Sequence, residues 1–453
     1  MKKAYDVIII TKALPLLYYP KSVQPTSDFL TVCFGTNKLN IHCLPHPHEK
    51  EEIILSTSLA NQLQIPKFIN KLYCFVHEET ISLGPLIGIF TSGFTANDAK
   101  PVGERTGFFQ KLINTQEPHG IVPFLFGEQH INWTGEHIMG LFYIDEEWRQ
   151  IKVPFPNVIY DRLPNRKSEN RMQAQIIKAR LQDDYLIPWY NPGFFNKLEI
   201  FERLFSDDSV ESYLPETHPF LSFSQAEKML AKYNNIFLKP KNGSLGIGIH
   251  QILYDRTKGN YFCRFRHQGE NKLVKSSSLE YLYEKILQSK NPDKFLIQQG
   301  ISLLRVEQSP IDFRIHVNKN EDGDWEVSAI AAKVAGSGSV TTHVHSGGEV
   351  KSLAEIFSEV DRRKYESLLK EAALKLAKSI EENTEGVVGE IGFDLGIDRQ
   401  ERVWMFEANS KPGRSIFHHP ALKHFEYLTN KLALSYGIYL TEKAMKQHKE
   451  LFL

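Results

Sequence analysis

The residues best suited to chemistry lie in GEIGFDLGIDRQERVWMFEANSKPG, residues 389–413. Two largely apolar strands flank a polar turn, Arg399–Arg402. With a turn of four residues, Asp398 pairs with Val403. Counting outward then sets Asp394 directly opposite Glu407, and Asn409, two residues on, shares their face. Like charges directly opposite one another destabilise a hairpin, so the arrangement makes sense if a cation sits between them. Asp, Glu and Asn oxygens are hard ligands of the kind Mg²⁺ takes together with phosphate oxygens. The competing account is a solvent-facing polar strip, and the apolar residues crowding the segment argue against it. The argument depends on register, because a one-residue slip would turn the set to opposite faces.

Three further segments carry candidate groups. In IFLKPKNGSLGIGIHQI (236–252), Lys239 precedes a turn at Asn242–Gly246. Glycines there permit close backbone approach to a phosphate, and the lysine adds a point charge. No helix follows the glycines, so this is neither a P-loop nor a dinucleotide fingerprint, and taken alone the segment fits a plain β-turn better than a phosphate site. In KFLIQQGISLL (294–304) an apolar strand ends in Gln298, Gln299 and Gly300. Such an end can present backbone groups to a base edge, or be only a strand end. In DFRIHV (312–317), Asp312, Arg314 and His316 alternate with apolar residues, so the polar set shares a face. Lys333 closes the apolar strand AIAAKV ahead of a Gly/Ser/Thr-rich loop, 336–348. A lone lysine there usually snorkels. Beside Arg314 it fits a polyphosphate site, since Arg and Lys stabilise a transferring phosphoryl group.

These groups need elements to position them. The chain has 453 residues, a length that suggests about three domains. Lys+Arg and Asp+Glu both total 54, so the balanced charge argues against wholesale binding to nucleic acid or an anionic membrane. Four cysteines without a C-x-x-C pair give no disulfide framework and suit a reducing compartment. His42, Cys43, His46 and His48 fit no zinc spacing and read as a polar surface loop. Only four apolar residues follow the basic start, too few for a signal peptide, and no run is long enough to span a membrane. A cytoplasmic protein is expected.

Residues 1–80 read as short strands with turns. Residues 81–195 read as a small open α/β unit, with buried strands at Gly84–Phe90, Ile121–Phe126 and Asn157–Tyr160. From 196 the pattern is α+β. Ser224 and Glu227 suggest a capping box, a long amphipathic helix covers about 361–382, and the last helix is expected to stop at Gly437.

With these four segments in order, residues 196–436 resemble an ATP-grasp domain. The Asp–x12–Glu–x–Asn spacing followed by Ser410, Pro412 and Gly413 is similar to the metal-binding strands of D-alanine–D-alanine ligases and related carboxylate–amine ligases. The whole chain resembles a narrower group, the endospore coat-associated ATP-grasp family of YheC/YheD type, on the words GPLIGIF, PNVIYDRLPNR, NKLEIF, YLPET, FLKPKNGSLGIGI and GEIGFDLGID.

The resemblance implies an ATP-grasp fold, two α+β lobes sandwiching ATP, the N-lobe at about 215–300 and the C-lobe at about 301–436. It would be preceded by an N-terminal strand-rich domain (1–80) and a pre-ATP-grasp domain (81–195), with the ATP-grasp domain at 196–440 and a tail at 441–453. It implies Mg²⁺ on Asp394, Glu407 and Asn409. It implies ATP contacts from Lys197, Lys239, Gly243, Ser244, Gly246, Gln298, Gln299 and Ile301, with Glu307 as the one acid available for the ribose. Arg314 and Lys333 would serve the γ-phosphate or acyl-phosphate, and His343, His345 and Arg414 would face the acceptor. The implied activity is ATP- and Mg²⁺-dependent joining of a small-molecule or peptide carboxylate to an amine or thiol, in spore formation, in the mother cell, the forespore or the coat. A coat structural protein with a non-catalytic ATP site, and an ATP-grasp kinase, are the alternatives. A homodimer is the default expectation.

Overall fold

The structure, a computed structural model, describes residues 3–446 except 116–118, 242–246, 288–291, 337, 340–341 and 343–346. The turn residues Gly243, Ser244 and Gly246, and both His343 and His345, lie outside the described residues.

The first strands close on themselves. Ala4–Ile10, Glu52–Ser56, Leu17–Tyr19, Asn37–Pro45, Phe29–Phe34, Thr80–Gly84 and Lys71–His77 form a barrel in that order. Closure removes the exposed edges that short strands would otherwise leave. The barrel docks on the next unit through its hairpin turn. Gly35 has φ +56°, and a Cβ there would come 2.3 Å from the Phe155 carbonyl oxygen. The expected polar surface loop is only partly one. His46 is buried, with Nδ1 accepting the backbone N–H groups of His48 and Lys50 at 3.1 and 3.3 Å, and Cys43 belongs to the barrel core.

Residues beyond the barrel build a sheet with a parallel centre: Val122–Phe126, Leu86–Phe90, Val158–Asp161 and Trp189–Tyr190. These strands are covered on both faces, which is why they read as unbroken apolar runs. One cover is the C-terminal helix Lys423–Lys446, whose Leu434, Ile438 and Leu440 pack with Ile87, Ile89 and Tyr160. The expected stop at Gly437 and tail from 441 are therefore corrected. Gly437 lies inside the helix, where a Cβ would come 2.3 Å from Ile87 Cδ1. The glycine serves close helix–sheet approach, not termination.

Two more sheets follow. One runs Thr217–Pro219, Phe295–Gln299, Asn235–Pro240, His250–Asp255, Asn260–His267, Glu270–Ser276. Its helix Phe223–Tyr233 is capped by Ser222, which accepts the Gln225 N–H, and not by Ser224. Ser222 has the extended backbone a cap needs, while Ser224 is already helical. The other sheet runs Glu349–Lys351, Trp325–Val334, Ser309–Lys319, Glu390–Ile397, Val403–Asn409. Its two faces differ, as period two requires. Ile311, Phe313, Ile315, Ile391, Phe393 and Leu395 pack under the helix Glu359–Glu382. Asp312, Arg314, Glu390 and Asp394 belong to the opposite set.

Candidate active site

The acidic hairpin reaches the expected pairing by a route that counting along the sequence does not foresee. Its turn is longer than four residues. Ile397 pairs with Val403, and Asp398 closes the turn by donating its N–H to the Arg402 carbonyl at 3.0 Å. The Asp398 carboxylate holds that turn, accepting from Gln400 N, Arg402 N and Trp404 Nε1 at 2.9–3.0 Å. This shifts the outer register by one residue. A bulge between Asp394 and Leu395 shifts it back, leaving Phe406 as the extra residue. Asp394 therefore does stand opposite Glu407, and Gly392 opposite Asn409.

Each carboxylate is met by cations. Arg314 grips Asp394 with two bonds, Nε to Oδ1 at 2.9 Å and Nη2 to Oδ2 at 3.1 Å. Lys333 Nζ lies 2.8 Å from the same Oδ1 and 3.0 Å from Asp312 Oδ1. Burial opposes the Lys333 charge, but Asp312 and Asp394 outweigh it and hold the ammonium above its ordinary value. Lys197, at the first turn of Lys197–Phe205 behind its Asn196 cap, approaches Glu407 Oε1 to 3.3 Å.

Across from the hairpin, Lys239 donates to Gln298 Oε1, and Gln298 Nε2 donates to Thr217 Oγ1 at 2.9 Å. Burial, and then the charge of Lys197, pulls the Lys239 ammonium down to about 8. A lysine this easily discharged is stabilised by an anion brought beside it.

Between the two sheets lies a cavity of about 580 Å³, ample for a nucleotide by ordinary pocket sizes. Lys197, Lys239, Gln298, Gln299, Ile301, Lys333, Asp394 and Glu407 all line it, with Phe237, Leu296, Leu303 and Phe406 as apolar wall. Arg314 stands behind Asp394, and Asn409 lies two cross-strand pairs further along, its Nδ2 3.5 Å from the Gly392 carbonyl. The side chains of Gln298 and Gln299 are already engaged, Gln299 Oε1 by the Glu216 N–H at 3.2 Å. The backbone N–H groups of Gln299 and Gly300 are taken as well, by the carbonyls of Glu216 and Asn235 at 2.8 Å, and Leu304 N–H by that of Ile397 at 2.8 Å.

One expected contact is corrected. Glu307 is exposed at the turn between Arg305–Val306 and Ser309–Lys319, with φ +55°, and does not line the cavity. Val306 pairs with Ser309, so Glu307 and Gln308 make a two-residue turn, of which Gln308 lines the cavity together with the flanking Arg305 and Ser309. The sequence reading also left Asp312 without a role. It bridges Lys333 and Thr342 at the cavity wall, and its alternation with Arg314 was the available signal.

Asp394 and Glu407 directly opposite, with Asn409 next on the face, form an all-oxygen donor set that fits Mg²⁺. Six cationic side chains line the cavity (Lys197, Lys239, Arg264, Arg305, Lys333 and Arg399) against three carboxylates (Asp312, Asp394 and Glu407), an excess of positive charge that suits an anionic ligand.

The description "YheC/D like ATP-grasp" matches residues 186–440. The chain is 39% identical over 439 residues to the endospore coat-associated protein YheD of Bacillus subtilis, covering 96% of each. It is 24% identical over 270 residues to YheC of the same organism, covering 59% of this chain and 73% of that one. Among solved structures it is similar to a D-alanine–D-alanine ligase from Bacillus anthracis complexed with ATP, with TM-score 0.43, 11% identity, and coverage of 80% and 99%. On the family match and the whole-length relationship, this chain belongs to the YheC/D like ATP-grasp family.

Proposed function

We propose that the protein is an ATP- and Mg²⁺-dependent ligase that joins a carboxylate to an amine or thiol through an acyl-phosphate. The observation that carries this reading is the meeting, at one cavity, of Asp394 opposite Glu407 on one sheet with Lys239 on the other. A carboxylate oxygen of the substrate attacks the γ-phosphorus, and the bond to the β-phosphate oxygen breaks to release ADP. The amine or thiol then attacks the carbonyl carbon, loses its proton, and phosphate leaves with the carbon–oxygen bond pair. Lys239, Lys333 and Arg314 spread positive charge over the transferring group, and the apolar wall keeps water from the acyl-phosphate. Mg²⁺ bound at Asp394, Glu407 and Asn409 would neutralise phosphate charge. The relatives' coat-associated names support a role in spore formation, inside the mother cell or forespore or at the coat.

Thermal unfolding with ATP, with and without Mg²⁺, tests the nucleotide site. Ligand at about 100 times its dissociation constant stabilises by about 2.7 kcal/mol. The expected result is a Mg²⁺-dependent upward shift that Glu407→Gln loses. No shift in the unaltered protein at millimolar Mg-ATP would sink the enzyme reading in favour of a structural coat role. Trapping the acyl-phosphate with hydroxylamine separates ligase from kinase.

A further inference from the structure

A second charged cluster lies along the same sheet face. Glu390, Gly392 and Asp394 alternate on one strand and so share a side. Four residues of strand put Glu390 about 13 Å from Asp394 along the chain. Glu390 is fully buried, at 0% exposure. Its carboxylate accepts from Tyr160 Oη and Arg414 Nη2, and Arg162 Nη1 lies 3.3 Å away. Tyr160 and Arg162 come from the α/β unit, at the end of Val158–Asp161, while Arg414 follows the acidic hairpin.

Glu390 satisfies only part of this cluster. The Arg414 side chain is 9% exposed, and its Nε and Nη1 have no hydrogen-bond partner among the described residues. Both ring nitrogens of the fully buried His316 are also unpartnered there. Burial, and then the charges of Arg414, Arg314 and Arg162, hold its pKa well below the ordinary value, so the imidazole is neutral and adds no charge. Two guanidinium groups against one carboxylate leave a surplus of one positive charge. Buried donors without partners, on a charged group above all, are expensive to keep. Phe108, only partly buried, lies under both guanidinium groups, at 5.0 Å from Arg162 and 5.9 Å from Arg414.

We infer that Arg414 and Arg162, over Phe108, bind a carboxylate at the end of the substrate remote from its reacting group. Assigning that carboxylate to a substrate of the ligation rests on the function proposed above. A single surplus charge matches a monoanion better than a phosphate dianion. The reacting group would then sit at the Asp394 end of the same face, and the remote carboxylate near its Glu390 end.

Calorimetric titration of the full chain without nucleotide, using glutarate and its neutral diamide glutaramide, tests the site. Glutarate is expected to bind at least about tenfold tighter than glutaramide, about 1.4 kcal/mol. The double variant Glu390→Gln/Arg414→Gln, which removes the unpartnered Arg414 donors without changing the cluster's net charge, is expected to weaken glutarate and so reduce that preference while keeping the Mg-ATP thermal shift. Arg162→Gln, at the cluster's rim, is expected to weaken glutarate in the same direction and is the variant to read if the double variant does not fold. Equal binding of glutarate and glutaramide by the unaltered protein, or an unaltered preference in a folded variant, overturns the inference. Glutarate preference without any Mg-ATP shift would instead overturn the ligase reading and leave the carboxylate site standing.

Discussion

Lys239 ties the chemistry of one side chain to pH. With its ammonium near 8, the free protein holds the charge below that pH and loses it above. A polyphosphate binding above about pH 8 must therefore bring a proton with it. Mg-ATP affinity is expected to fall as pH rises through about 8, by at most about tenfold per unit, and to be flat below. In Lys239→Met the affinity is lower throughout and this dependence disappears; calorimetric titration across the range checks both. At this scale much was legible in the sequence. Asp394, Glu407, Arg314 and Lys333 could be found from residue type and alternation alone. Glu307 could not be placed, because whether a turn residue faces a cavity depends on how that turn sits against a second sheet.

The hairpin at 390–409 shows how an element can hide its own register. Asp398, by collecting two backbone N–H groups beyond it, lengthens the turn, and the bulge at Phe406 compensates. A count along the sequence sees neither event, and reaches the right pair because the two cancel. Gly437 misleads in the opposite way. A glycine after an apolar-periodic run resembles a helix end, yet its role is set by Ile87 of a strand 350 residues earlier in the chain. Gly437→Ala has nowhere to put its methyl group, since Ile87 is itself fully buried. It is expected to destabilise the protein by about 1–3 kcal/mol, although alanine is the better helix former. Urea denaturation of the pair measures the sign directly.

For the whole molecule, Asn191 is the clearest link between units. Its Oδ1 accepts the N–H groups of Gly389 and Glu390 at 2.8 and 3.1 Å, and its Nδ2 donates to the carbonyls of Glu390 and Ser410. Tyr190 forms a parallel bridge to Val387 beside it. The α/β unit and the sheet bearing the acidic hairpin are thus joined through buried backbone bonds. Asn191→Ala would strand those groups and place alanine at φ +53°. A loss of about 3 kcal/mol or more is expected. Urea denaturation read by both tryptophan fluorescence and far-UV circular dichroism should show one transition in the unaltered protein, at higher urea than in the variant.

The sequence alone determined which residues share a face, where most strands and helices run, and that the acidic pair stands on one hairpin. Those are consequences of side-chain periods of two and 3.6, which any short window contains. Only the tertiary structure decided that Lys197, Lys239 and Lys333, from three separate elements, meet the carboxylates around one cavity. It alone brought Tyr160 to Glu390, 230 residues away, and left Arg414 with donors to spare. Such meetings depend on how whole sheets stack, and sheet stacking is a sum of many weak apolar contacts that no local pattern records.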